Sequence, residues 1–135
     1  MTIWDDAHVE TRLPCEDLER ARAWYSENLG LEPTEEREGG LRYVFGATEF
    51  ALYASAGRSP GTFTQMGFYV ADIEAAVAEL RGRGVEFEEL DTPFFKTRDG
   101  IADIAGNYPS KGSGERGAFF RDSEGHLLAI GQATR

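Results

Sequence analysis

The chain has 135 residues, of which 24 are acidic and 14 basic, giving a net charge of -10. This length suits one compact domain or two closely packed half-domains, and 41% apolar residues suffice to fill a core, which excludes a disordered chain. The acidic excess argues against nucleic acid and anionic membrane as partners and favours a cationic or neutral ligand, with solubility as its plainer purpose.

The opening segment MTIWDDAHVE lacks the basic and apolar regions of a signal peptide, and no apolar run of about 18 residues follows, so a cytoplasmic protein is expected. Trp4 on this arm is expected to pack on the sheet or on a partner chain. Val9, Thr11 and Leu13 alternate with Glu10 and Arg12, the period of a half-buried strand, and Pro14 ends it. Cys15 is the single cysteine; it permits no intrachain disulfide and reads as a small packing residue. Asp17 suits a helix N-cap, Leu18, Ala21, Tyr25 and Leu29 recur at helical spacing, and Gly30 supplies the exit. Trp24 lies off that stripe and reads as core edge. Strands are expected at 34–37, 41–45 and 49–53, joined by Gly39-Gly40 and Gly46-Ala47-Thr48. The acidic run 32–38 reads as a solvated edge that resists strand pairing.

Residues 55–61 are small, polar and rich in breakers, and read as a linker. A strand at 63–70 and a helix at 72–83 follow, the helix carrying Ile73, Ala76, Val77 and Leu80 inward and fraying at Gly82 and Gly84. A further strand is expected at 85–90. Residues 91–116 form a long irregular insert with Phe94, Phe95 and Tyr108, and inserts of that length in a compact domain are commonly functional covers. Segments 117–121 and 126–132 close the chain as a hairpin. Residues 112–117 match G-x-G-x-x-G, but a loop precedes them and a strand follows, so no dinucleotide site is expected.

The two halves repeat one another. A shift of 55 carries Asp17-Leu18 onto Asp72-Ile73, Ala21 onto Ala76 and Tyr25 onto Leu80, and a shift of 54 carries Gly30 onto Gly84. Each unit must bury its apolar face against something, so the repeat predicts an α+β fold of two βαβββ modules, 1–54 and 62–135, around the linker 55–61.

This doubled order, the entry EDLERARAWYSENLGLEP and the closing AFFRDSEGHLLAIGQ resemble the vicinal oxygen chelate superfamily, which includes glyoxalase I, extradiol dioxygenases and bleomycin-resistance proteins. The resemblance spans 9–132 and is carried by the Asp-Leu helix start with Trp-Tyr seven residues on, Leu-Gly-Leu, and F-x-D-x-E-G-x-L. It implies a cup-shaped mixed β-sheet with a helix on the outer face of each module, and a homodimer whose chains together form a cavity. Enzymes of the family take a divalent metal from His and Glu on the first, fourth, fifth and eighth strands. Those positions fall here on Glu10, Ala51, Gln65 and Ala129. Two methyl groups, an amide and one carboxylate are too few donors for such a cation, so the resemblance points to the metal-free, bleomycin-resistance-like branch, with no cofactor. His8 and His126 lie off the ligand positions and read as solvent-facing; Glu49 would join a metal site if the fourth strand slipped by two residues, which preserves its facing.

Strand alternation that turns Val9, Thr11 and Leu13 under the helix turns His8, Glu10 and Arg12 into the cup. Likewise Met66, Phe68 and Val70 face the core, while Gln65, Gly67 and Tyr69 join Ala51, Tyr53, Leu127, Ala129 and Gly131 on the cup wall. Glu10, Arg12, Tyr53, Gln65 and Tyr69 are therefore the candidate ligand-binding residues, suited to a planar ligand with polar handles. Phe94, Phe95 and Tyr108 either close over that ligand or bury against their own sheet edge. Glu10 and Arg12 neutralising one another is the simpler role for that pair. The leading expectation is a binder that sequesters a bulky aromatic or cationic natural product between two chains. The alternatives are a metal-independent acid-base enzyme of natural-product metabolism, with Glu10 as base and Tyr69 or Arg12 stabilising negative charge, and a metal-dependent isomerase, lyase or dioxygenase whose ligands lie elsewhere.

Overall fold

In the computed structural model, which describes residues 2–106 and 112–134, two mixed sheets each carry one helix. Strands β1 (Thr11–Cys15), β2 (Glu35–Arg37), β3 (Gly40–Phe45) and β4 (Thr48–Ala54) form the first sheet in the order β1-β4-β3-β2. Strands β5 (Thr64–Tyr69), β6 (Thr97–Arg98), β7 (Ile101–Ala105), β8 (Gly114–Arg121) and β9 (Leu127–Thr134) form the second, in the order β5-β9-β8-β7-β6. In each sheet the first strand pairs in parallel with the last and the others run antiparallel, so the second sheet repeats the first. This is the α+β fold that the repeat implies.

The helices begin for the same reason in both copies. The Asp17 carboxylate accepts from the Arg20 amide at 3.0 Å and starts α1 (Leu18–Trp24); Asp72 accepts from Ala75 at 3.1 Å and starts α2 (Ile73–Gly82). After α1 a wider turn, Tyr25–Leu29, leads to Gly30, whose φ of 71° is left-handed and favours glycine. The Asn28 side-chain amide then donates to the Arg83 carbonyl at 2.7 Å, tying the two helix ends together.

One apolar core runs through both modules. Leu13, Cys15, Ala21, Tyr25 and Leu52 of the first pack in the same cluster as Ile73, Val77, Phe120, Leu128 and Ile130 of the second. Half-buried Trp24 lies stacked against Phe120, with ring centroids 6.2 Å apart, so it is core edge as expected. Burial pushes the Cys15 thiol up to about 12, which makes it inert as a nucleophile.

Four expectations are corrected. Val9 is 97% exposed, because the pairing of β1 with β4 begins at Thr11 opposite Phe50, just beyond the β3–β4 turn, leaving the preceding residues without a partner strand. Trp4 is also exposed, which corrects the first of its two expected placements, packing on its own sheet. The 85–90 segment forms no regular strand: it meets the second sheet through the bridge from Phe87 to Phe120, the bond from Glu88 N–H to the Phe119 carbonyl and the bond from Thr97 N–H to the Leu90 carbonyl, and the outer strands β6 and β7 lie inside the 91–116 insert. His126 is not solvent-facing but fully buried. Among the described residues no helix is long and apolar enough to cross a membrane.

Candidate functional site

Alternation along β4 sets the two faces of the first sheet. Phe50 and Leu52 are buried beneath α1, whereas Glu49, Ala51 and Tyr53 look onto the open, concave face. Ala51 pairs with Arg12 on one side and Arg42 on the other. The two guanidinium groups diverge from it. Arg12 lies over the Tyr53 ring, 4.9 Å from its centroid, and Arg42 reaches Glu49 with contacts of 2.6 and 2.8 Å. Between them is a hollow of about 170 Å³ bordered by Glu10, Arg12, Arg42, Glu49, Ala51 and Tyr53. Glu10 and Arg12 share this hollow as expected, but no ion pair joins them; the cation-π contact with Tyr53 is what holds Arg12.

The second sheet offers a different concave surface. Gly67 pairs with Ala129 and Tyr69 with Gly131, so the floor of β5 and β9 is nearly bare. Over it reaches Glu115 from β8: a Cβ at Gly131 would lie 2.7 Å from Glu115 Oε1 and 3.5 Å from Tyr69 Cε1, so glycine there gives both side chains their room. Burial raises the Glu115 carboxyl above its ordinary range, and a bond from Tyr69 only partly offsets it. Glu115 lies within the G-x-G-x-x-G match at 112–117, and its alternation with Gly117 and Phe119 is the signal that places it on this face. Gln65 fails to join the wall because the pairing of β5 with β9 slips at that residue, and Ser59 of the linker donates to its side-chain oxygen at 3.0 Å. Phe95 lies stacked on Phe119 with centroids 5.3 Å apart, covering its own sheet, while Phe94 is 85% exposed beside it. Tyr108 lies outside the described residues.

A buried polar cluster fixes the two concave faces relative to each other. The Tyr25 hydroxyl donates to Asp122 Oδ2 at 2.7 Å, and the same oxygen lies 2.7 Å from His126 Nδ1. Asp122 also accepts from the backbone N–H groups of Glu124 and His126. Beside it the buried Glu124 accepts from Arg20 at 2.8 and 3.0 Å and from the Asp17 N–H at 3.0 Å. Thus the turn between β8 and β9 is bonded to the start of α1 across more than 90 residues of chain, and burial against α1 explains why His126 belongs to the interior. Burial alone would raise the Glu124 carboxyl; the bonds from Arg20, Asp17 and Ser123 outweigh it and hold it at about 2.

The four positions at which the resemblance implies a metal do not fit one. Ala51 and Ala129 are methyl groups, and the Gln65 amide is turned to the linker. His8, Glu10 and Glu49 do approach, with one donor atom of each within 4.8 Å of the others. Yet His8 and Glu10 are exposed, and Arg42 places a positive charge against Glu49, holding its carboxyl below the ordinary range with help from Glu10. A guanidinium at that point opposes a divalent cation, and His126 is too deeply buried to complete the set.

Comparisons with known proteins agree with this fold. The family model described as Glyoxalase/Bleomycin resistance protein/Dioxygenase superfamily matches residues 7–130. No curated protein matches in sequence. Among solved structures, a virulence protein from Salmonella typhimurium is similar at 20% identity and TM-score 0.66, covering 98% of this chain and 99% of its own. An antibiotic-binding protein from a Streptomyces species gives 20% identity, TM-score 0.60 and coverage of 94% and 96%. A fosfomycin resistance protein from Listeria monocytogenes gives 14%, 0.64, and 96% and 94%. At these identities the likeness concerns the fold.

Proposed function

The chain belongs to the glyoxalase/bleomycin resistance protein/dioxygenase superfamily, and on that premise we propose that it is a metal-free binding protein for a bulky aromatic natural product or drug-like molecule, which it sequesters rather than transforms. The observation that carries this reading is the bare floor of the two concave faces: Ala51, Gly67, Ala129 and Gly131, with the Arg12–Tyr53 stack and the Glu115–Tyr69 pair standing at its sides. A floor of methyl and methylene groups accepts a flat apolar body, and the charged groups beside it supply the few directed contacts that fix orientation. The antibiotic-binding and fosfomycin-resistance relatives support the reading through their fold. Two chains placing these faces together, as the superfamily resemblance implies, would double the area that excludes water. The test is a panel of aromatic antibiotics titrated into the metal-stripped protein. Saturable binding with protection of sensitive cells in proportion to protein amount is expected; turnover of any compound contradicts sequestration.

A second reading, a metal-independent acid-base enzyme, is favoured by one feature, the raised Glu115 carboxyl beside Tyr69, which makes Glu115 a candidate for holding a proton. Glu115→Gln separates the two readings, since an enzyme loses its rate, whereas a binder shows no turnover in either form and loses only the one directed contact.

A further inference from the structure

A cleft of about 640 Å³ opens between the two modules, chiefly on the helix side of β5 at Met66, Phe68 and Val70, and reaches round that edge strand to Gly67 and Tyr69. Strands β1 and β5 are the edges of their respective sheets, and the cleft lies between Thr11 on the first and Met66 to Val70 on the second, with α2 bordering it at Ala76 and Leu80. Apolar side chains that face a shared core are ordinarily packed without gaps larger than a water molecule, so a hollow of this size at the junction of two modules is a feature in its own right.

Its lining names its occupant. Phe68 meets the stacked pair Phe45 and Phe50 edge to face there, with centroids 5.9 Å apart for Phe45–Phe68 and 5.8 Å for Phe50–Phe68, and Phe45 stays 41% exposed. Such an arrangement offers both ring faces and ring edges to a flat aromatic body. The charged residues on the border are Glu49 and Glu79; no Lys or Arg among the described residues lines the cleft, and Glu79 has no ion-pair partner among them. Glu49 is already paired with Arg42, but the aromatic faces and the unpaired Glu79 carboxylate attract positive charge, as does the net charge of -10.

We infer that this cleft is a second binding site, distinct from the hollow beside Arg12 and Tyr53, for a planar aromatic cation held against Phe45, Phe68 and Leu80 with its charge toward Glu79. Its volume lies within the range of small-molecule pockets, roughly 300 to 1,000 Å³. The site stands whether or not the concave faces bind a ligand.

The test uses berberine, a planar aromatic cation, and 1-anilinonaphthalene-8-sulfonate, an aromatic anion, titrated by fluorescence into the full chain, with amide-resolved NMR to locate binding. Berberine is expected to bind one per chain and to shift the amides of Thr48, Phe68 and Ala76. Ala76→Phe, which projects a ring into the cleft from a helical position, is expected to weaken it at least about tenfold, and Glu79→Gln several-fold, with the sulfonate at least about tenfold weaker than berberine throughout. Tyr53→Ala, on the concave face, is expected to leave berberine affinity unchanged. The inference is overturned if shifts are confined to Arg12, Ala51 and Tyr53, if the sulfonate binds as tightly, or if berberine does not bind. It is also overturned if folded Ala76→Phe abolishes a dimer without affecting berberine, because the cleft would then seat a second copy. Should Ala76→Phe not fold, Glu79→Gln and the NMR map of the unmodified chain decide.

Discussion

Replacing Glu124 by Gln removes one charge from the interior while keeping shape and one acceptor. In the native chain this fully buried carboxylate receives two bonds from Arg20, one from the Asp17 N–H at the start of α1 and one from Ser123 at 2.9 Å. The folded group titrates at about 2, against an ordinary value of 4.5. That difference of about 2.5 pH units corresponds to roughly 3 kcal/mol at most. Arg20 is 46% exposed, so solvent screens part of the interaction and a loss of about 2 kcal/mol is the expected effect. For a chain of this size that lowers Tm by roughly 7 °C. The sign follows from a lowered carboxylate: its stabilisation is complete above about pH 4.5 and disappears as pH falls through about 2. Urea unfolding of both proteins from pH 7 to pH 3 is the assay. The gap between them is expected to be full near neutrality and to narrow steadily below pH 4.5. A gap under about 0.5 kcal/mol at pH 7, or one that does not change with pH, refutes the assignment of Glu124 as the charged tie between the modules.

Tyr25→Phe removes the hydroxyl that donates to Asp122, which keeps His126 and two backbone donors; a loss of about 1–2 kcal/mol is expected, seen as a lower urea midpoint at unchanged slope. Gly131→Ala places a methyl 2.7 Å from Glu115 Oε1, the far end of a flexible side chain, so stability is expected to change by less than about 1 kcal/mol while Glu115 is displaced toward solvent. An NMR titration should then show its raised carboxyl returning toward the ordinary value. Tyr53→Ala strips the ring beneath Arg12 from a half-exposed position, and calorimetry with an aromatic antibiotic that binds the parent chain is expected to show about tenfold weaker binding with little change in Tm.

Local signals were legible where one stretch of chain decides the outcome. Asp17 and Asp72 cap their helices because an acceptor ahead of an amphipathic run has free N–H groups to bind, and the Gly exits and apolar stripes follow equally local rules. Alternation on β4 correctly sent Glu49, Ala51 and Tyr53 to one face, because both neighbouring strands are in place along its length. It failed at Val9 and Gln65 for a shared reason: one lies beyond the end of its partner strand and the other at a slip in register, and neither can be read without the pairing. The interior of the β8–β9 turn was illegible because its burial is supplied by a helix about a hundred residues earlier. His126, Asp122 and Glu124 look like turn residues until α1 lies against them. Sequence placed Met66, Phe68 and Val70 in the core, where their facing is right but the space between the modules is left unfilled.

The measurement that bears most directly on the binding reading is equilibrium dialysis of an aromatic antibiotic against chelator-treated protein, followed by mass spectrometry of the released compound. Stoichiometric retention without added metal, and recovery of the compound chemically unchanged, is the predicted result. Binding that returns only when a divalent cation is restored, or release of an altered product, contradicts it.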